Sequence, residues 1–253
     1  MHLLYKNFDH NQEITIFDTT ELYGESGNFR LLQFSNEAVQ GALDLDHPKR
    51  IVFEYPRAII HLIELNDPAF EDLFLIGHGI GTIPGYYANK RVKVAELDGR
   101  IVELSKQYFG YSQDNVIVAE GRQTLESEKP ESYDYIVTDA FNDKGTPRHL
   151  TSIDFFKITF DKLDDQGSII LNLLGRSEHD YHICSIHTTL RECYPYVKAF
   201  ALSAEAAVDI RNILLVGSKH PVQFQTRHMC GFVEIELGEG YIIQDIKEAP
   251  RKI

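Results

Sequence analysis

Three glycines alternate at Gly77, Gly79 and Gly81, directly after the apolar run Leu73-Phe74-Leu75-Ile76. An acid, Glu96, closes a second apolar run, Val92-Lys93-Val94-Ala95. Glycine permits a sharp turn and lets a ligand lie against bare backbone. A helix beginning after such a turn offers unpaired N–H groups, and an acid at the carboxyl end of the second strand can accept hydrogen bonds from both hydroxyls of a ribose. Residues 73–98 therefore read as strand, glycine turn, short helix and strand, half of a nucleotide-binding βαβ unit. A ligand-free strand-to-helix turn is the bland alternative, and the acid in register weighs against it. The dinucleotide fingerprint wants a further glycine where this chain has Thr82.

These residues need a scaffold, and the rest of the chain supplies one. Upstream, residues 13–17 and 29–34 are β-rich around a turn at 24–27, with a third short strand at 38–40 closed by Gly41. Ala58, Ile59, Leu62 and Ile63 fall at helical spacing over 55–65, and Asn66-Asp67-Pro68 stops that helix. Downstream, a helix over 101–109 ends at Gly110, and a strand over 116–119 leads into Glu120-Gly121. A strand over 135–138 ends at Asp139, and another covers 168–173. A helix over 178–193 and strands at 197–202 and 213–217 follow. Alternating strands and helices imply a Rossmann-like, doubly wound, mostly parallel sheet covered on both faces. Ligands of such sheets lie across the carboxyl ends of the strands, where Glu96, Glu120 and Asp139 all fall. The expected division is a β-hairpin module over 1–50, a nucleoside-binding domain over 51–218 and an extension over 219–253. In that extension 232–237 alternates like a half-exposed strand and 241–246 is its candidate return.

Composition narrows the classes. The 253 residues, 43% hydrophobic and 25% charged, suit one well-buried α/β domain. A formal net charge of -13 argues against nucleic acid as a partner. Three cysteines with no CxxC suggest neither a disulfide framework nor zinc. The histidines His179, His182 and His187 near Cys184 invite a metal reading, but no carboxylate completes the set and a solvated helix face explains them better. No metal, membrane or signal-peptide pattern is expected, and the default compartment is the cytoplasm.

The order of these motifs resembles the spermidine/spermine synthase (polyamine aminopropyltransferase) family over residues 13–218, and the glycine loop resembles that of class I S-adenosylmethionine-binding proteins. The resemblance implies that Gln40 contacts a nucleoside, Glu96 its ribose, and Glu120-Gly121 its adenine. It places Asp139 beside the reacting amine and Tyr55 at the start of an acceptor-lining helix. It implies transfer from decarboxylated S-adenosylmethionine, or S-adenosylmethionine, to a small amine, with methylthioadenosine as product and a homodimer through the N-terminal strands.

The departures concentrate at the acceptor end. Ile80 stands where the family's loop carries an aspartate, and Pro56-Arg57 replace a His-Glu pair. The family's Asp-x-x-Asp becomes Asp139-Ala140-Phe141-Asn142, with Asp143 one place late, and Pro-Thr-Tyr-Pro becomes a run beginning Ser203-Ala204. Losing acids weakens a diamine site, because a half-buried ammonium needs charged partners. Displacement at a sulfonium requires an aligned nucleophile and a base, for which Asp139 is the candidate; capping of the following loop is its alternative. His78, Asp143 and His149 are further candidates for lining the acceptor space. Three functions follow: aminopropyl transfer, methyl transfer from the intact donor, and non-catalytic nucleoside binding.

Overall fold

The computed structural model describes residues 1–9, 12–34, 39–141, 145–176, 180–203 and 210–246. It holds two sheets. The first contains β1 (His2–Asp9), β2 (Gln12–Leu22), β3 (Glu25–Phe34) and β4 (Val39–Asp44), antiparallel in that order. β1 was not anticipated: it is an edge strand with most described side chains in solvent, so it carries no inward-outward alternation. Gly41 does not close β4 but lies inside it.

The second sheet has eight strands in the order β12-β10-β11-β9-β8-β5-β6-β7. β5 (Asp72–Ile76), β6 (Arg91–Glu96), β7 (Val116–Val118), β8 (Tyr133–Thr138) and β9 (Leu163–Gly175) pair in parallel. β10 (Tyr196–Leu202), β11 (Arg211–Ser218) and β12 (Phe232–Glu234) complete one side antiparallel. The chain passes from β5 to β6 and β7 on one side and to β8 and β9 on the other. The switch point therefore lies between β5 and β8, where this architecture opens a crevice at the strand ends.

Helices cover both faces. On one, α1 (Glu54–Asn66) and α2 (Thr82–Tyr86) pack Ala58, Ile59, Ile63 and Ile83 over Leu73, Leu75, Val137 and Leu214. On the other, α4 (Gly121–Glu126), α5 (Ile153–Lys162) and α6 (Tyr181–Arg191) cover Phe74, Ile136, Ile169 and Leu171. Each such side chain contributes roughly 1.5–3 kcal/mol of burial. α3 (Gly99–Tyr108) turns Ile101 and Leu104 to Ile14, Ile16 and Leu32 and so joins the first sheet to the second. α4 and α5 were not anticipated, although Ser152 caps α5 by accepting the Phe155 N–H at 3.3 Å.

The tail corrects its sequence reading. Only three residues pair as β12, and among the described residues the segment after Gly238 adds no return strand. It lies along α6 instead. Thr188 and Thr189 hydroxyls accept from the N–H groups of Gly240 and Ile243, both at 2.9 Å. The Ile243 carbonyl accepts from Ile153 N–H at 2.8 Å. Among the described residues no helix is long and apolar enough to cross a membrane.

Candidate active site

The glycine loop leaves the carboxyl end of β5 with φ of +97° at Gly77, +55° at Gly79 and +84° at Gly81, a region that side chains disfavour. At Gly77 a Cβ would stand 2.1 Å from the Asp139 carbonyl oxygen, so the loop lies flush against the end of β8. At Gly81 it would stand 2.4 Å from the Tyr111 ring. At Gly79 nothing lies within 4 Å, so the middle of the loop presents bare backbone to open space. The expected helix is only the five residues of α2, too short to serve as an anion site; the loop itself forms the cradle.

Glu96 ends β6 and reaches back under the loop. One carboxylate oxygen accepts the His78 N–H at 2.8 Å and the other the Asp98 N–H at 2.9 Å. The Leu97 N–H also bonds to this carboxylate, and of its roughly four acceptor positions one remains for a hydroxyl. Burial pushes its pKa up, partly offset by these backbone N–H groups. Glu120 caps α4, accepting from Arg122 N at 3.1 Å and Gln123 N at 2.8 Å, and also meets His149 Nε2 at 3.0 Å. Burial pushes Glu120 up, but those three donors outweigh it and the net shift is down. Gly121 is required by packing, since a Cβ there would stand 2.4 Å from Ile76.

Gln40 lies at a bulge in β4. Gly41 pairs with Leu32 and Val39 with Gln33, which leaves Gln40 as the extra residue. A bulge re-aims the side chain it releases. The neighbouring Gly41 carries the loop residue Ile80, whose Cγ2 stands 2.4 Å from the place of a Gly41 Cβ. Gln40 and the glycine loop are thereby brought together.

Asp139 follows β8, its N–H donating to the Ile76 carbonyl at 2.8 Å. Its carboxylate accepts from Asn172 Nδ2 at 2.8 Å and from the Tyr55 hydroxyl. Burial pushes the Asp139 pKa up, while these two donors pull it back. Tyr55 is raised well above its ordinary value by burial and by the adjoining carboxylate, so it remains a neutral donor.

Two histidines stand elsewhere than expected. His78 is turned into the protein: Nε2 lies 2.8 Å from Ser105 Oγ on α3, and the ring meets Tyr111 edge-on at 4.6 Å. Ser105 Oγ already donates to the Val102 carbonyl, so Nε2 carries the proton. Burial pulls the His78 pKa down to about 4, keeping it neutral. Its ring faces α3 and not the acceptor space. His149 sits on Glu120 at the start of α4, not beside Asp139. Asp143 and His179 fall outside the described residues. Among those described, no three His, Cys, Asp or Glu side chains group to hold a metal ion.

Sequence reasoning missed Asn172, Tyr111 and Arg122. Arg122 donates to the His149 carbonyl at 3.0 Å and forms a two-pronged pair with Asp245 at 2.9 and 2.8 Å, tying the tail to the turn that carries His149. The signal for Asn172 was visible, an amide inside the buried run Ile169-Ile170-Leu171-Asn172-Leu173.

A glycine turn after the first parallel strand, with acids at the ends of the next three, defines a Rossmann-like fold of the class I S-adenosylmethionine-binding kind. A probable spermidine synthase from Corynebacterium glutamicum ATCC 13032 shares it with a TM-score of 0.82 and 20% identity, over 99% of this chain and 98% of that one. The polyamine aminopropyltransferase of Vibrio vulnificus (strain CMCP6) is 27% identical over 199 residues, which are 73% of this chain but only 64% of that relative. Putrescine N-methyltransferase 2 of Nicotiana attenuata is 24% identical over 161 residues, 58% of this chain and 43% of the relative. Residues 52–226 match the family model described as the spermine/spermidine synthase domain, and the chain belongs to that family.

Proposed function

We propose that this chain transfers an aminopropyl group from decarboxylated S-adenosylmethionine to the nitrogen of a small amine. The observation that carries the reading is the meeting of Gly77 and Asp139 at the switch point, which sets a bare-backbone cradle beside a half-buried carboxylate. Open space at Gly79 and the acceptor position left on Glu96 fit an adenosyl group. Gln40, the three loop glycines, Glu96, Glu120 and Gly121 would hold it. The donor, when bound, supplies an electrophilic carbon on a sulfonium and leaves as neutral methylthioadenosine.

The protein's part is positioning and proton transfer. An amine attacks only through its free lone pair, so its ammonium must first lose a proton. Asp139 takes that proton and orients the nitrogen, within the ~3 Å reach such an attack needs. Tyr55 and Asn172 keep the carboxylate ionised against the cost of burial. Incubation with decarboxylated donor and a panel of di- and polyamines is expected to release methylthioadenosine; no product from any of them sinks the reading.

A second reading, methyl transfer from the intact donor, is favoured by Ile80. An aspartate in its place would repel the donor's carboxylate, and the isoleucine does not. Calorimetric titration with both donors separates the two, since tighter binding of the intact one supports methyl transfer. Turnover abolished by Asp139→Asn excludes a non-catalytic role. A homodimer through the first sheet is proposed from the family alone, and light scattering of the full chain tests it.

A further inference from the structure

The α1 side of the second sheet is apolar in its lower layers, where Val137, Ile170, Leu214 and Val216 lie. Its upper layer is polar. Thr138 pairs with Leu171, so Asp139 and Asn172 stand side by side at the next step. Asn172 pairs with Leu214 and Leu174 with Asn212, which puts Asn212 on the same face one strand further out. The three residues form a line across the carboxyl ends of β8 and β9 and the amino end of the antiparallel β11. Asn212 Nδ2 donates to Asn172 Oδ1 at 2.9 Å, and Asn172 Nδ2 donates to Asp139 Oδ1 at 2.8 Å.

The direction of this line is fixed by chemistry. An ionised carboxylate only accepts, so the Asn172 amide must turn its NH2 to Asp139 and its oxygen outward. That oxygen would be orphaned without Asn212. Asn172 is 1% exposed, so neither end of its amide can exchange its partner for water. An amide in a buried apolar strand is costly unless both ends are satisfied, and here both are satisfied by this line.

We propose that Asn172, itself held by Asn212, is a positioning residue that fixes the Asp139 carboxylate by committing its Oδ1 and leaving Oδ2 to face the acceptor. The catalytic consequence rests on the transfer reading above; the positioning of Asp139 does not. Among the described residues, the polar side chains bonded to that carboxylate are Asn172 from β9 and Tyr55 from α1.

The test is carried out on the full chain with 13C-labelled aspartate. The Asp139 carboxyl resonance is assigned by its loss in Asp139→Asn and titrated in wild type, Asn172→Leu and Asn212→Leu. Losing a charge-assisted bond is expected to raise the Asp139 midpoint by about one pH unit in Asn172→Leu, with a smaller rise in Asn212→Leu. Methylthioadenosine release should then fall roughly tenfold or more in kcat with the donor KM little changed. If Asn172→Leu does not fold, Asn212→Leu decides, since it leaves β9 intact. An Asp139 midpoint unmoved in every variant that folds overturns the proposal, whether or not the protein turns over. A midpoint that moves in a protein releasing no product supports the positioning and rejects the transfer reading alone. Loss of kcat with an unmoved midpoint also overturns it.

Discussion

Gly41 and Ile80 meet with no room for a methyl group between them, Ile80 Cγ2 lying 2.4 Å from where a Gly41 Cβ would stand. A β4 residue thus sets the height of the glycine loop. Gly41→Ala must push Ile80, and the loop with it, away from the first sheet; overpacking of this kind costs ~1–3 kcal/mol. The expected outcome is roughly tenfold weaker binding of methylthioadenosine by calorimetry. Unchanged affinity would show that the contact does not place the cradle.

Ile80 packs against the cluster of Ile14, Ile16, Leu32, Ile101 and Leu104. Ile80→Asp replaces that apolar contact with a carboxylate; where the proposed donor's amine end would lie beside it, that carboxylate attracts an ammonium and repels a second carboxylate. The ratio of affinities for decarboxylated over intact donor is expected to rise about tenfold, as one ion-pair-scale effect of ~1.4 kcal/mol requires. Titration of the variant with both donors checks it. A constant ratio would mean that residue 80 does not read the donor.

Asp139 has its pKa pushed above the ordinary 3.8 by burial, and Tyr55 pulls in the opposite direction by donating to the carboxylate. Removing a donor that favours the ionised form moves an acid's midpoint up. In Tyr55→Phe the acid limb of the rate of methylthioadenosine release should therefore shift to higher pH, by about one unit. A limb that moves down, or stays, contradicts the assigned hydrogen bond.

Asp245 is held below its ordinary 3.8 chiefly by its hydrogen bonds to the Arg122 guanidinium, with burial opposing. A depressed carboxylate stabilises the fold above its unfolded pKa, and the contribution disappears as pH falls through the folded one. The pair is partly exposed, so after screening it is worth about 1 kcal/mol. Asp245→Asn should lower the Tm by a few degrees at pH 7. The difference from wild type should shrink progressively below about pH 4. An equal deficit at pH 3 and pH 7 would place the loss in packing instead.

The parallel core was legible in the sequence because β5, β6, β8 and β9 are apolar runs that end in acids, turns or helix caps. The glycine loop was legible because positive φ favours glycine at all three of its positions. What escaped depended on contacts remote in sequence. His78 reads as a loop histidine until α3 brings Ser105 to it, 27 residues on. His149 is paired by α4 and not by the strand it follows. β1 has too few inward residues to alternate, and the tail is held by hydroxyls of α6 that no local pattern announces.

The backbone contact between Gly77 and Asp139 has a mechanical consequence. Because the two strand ends touch through peptide atoms, with Asp139 N–H bonded to Ile76 and Gly77 N–H bonded to Ala95, neither can shift without dragging the other. For the transfer proposed above, this puts the donor's seat and the proton acceptor on one jaw whose spacing is set when the chain folds.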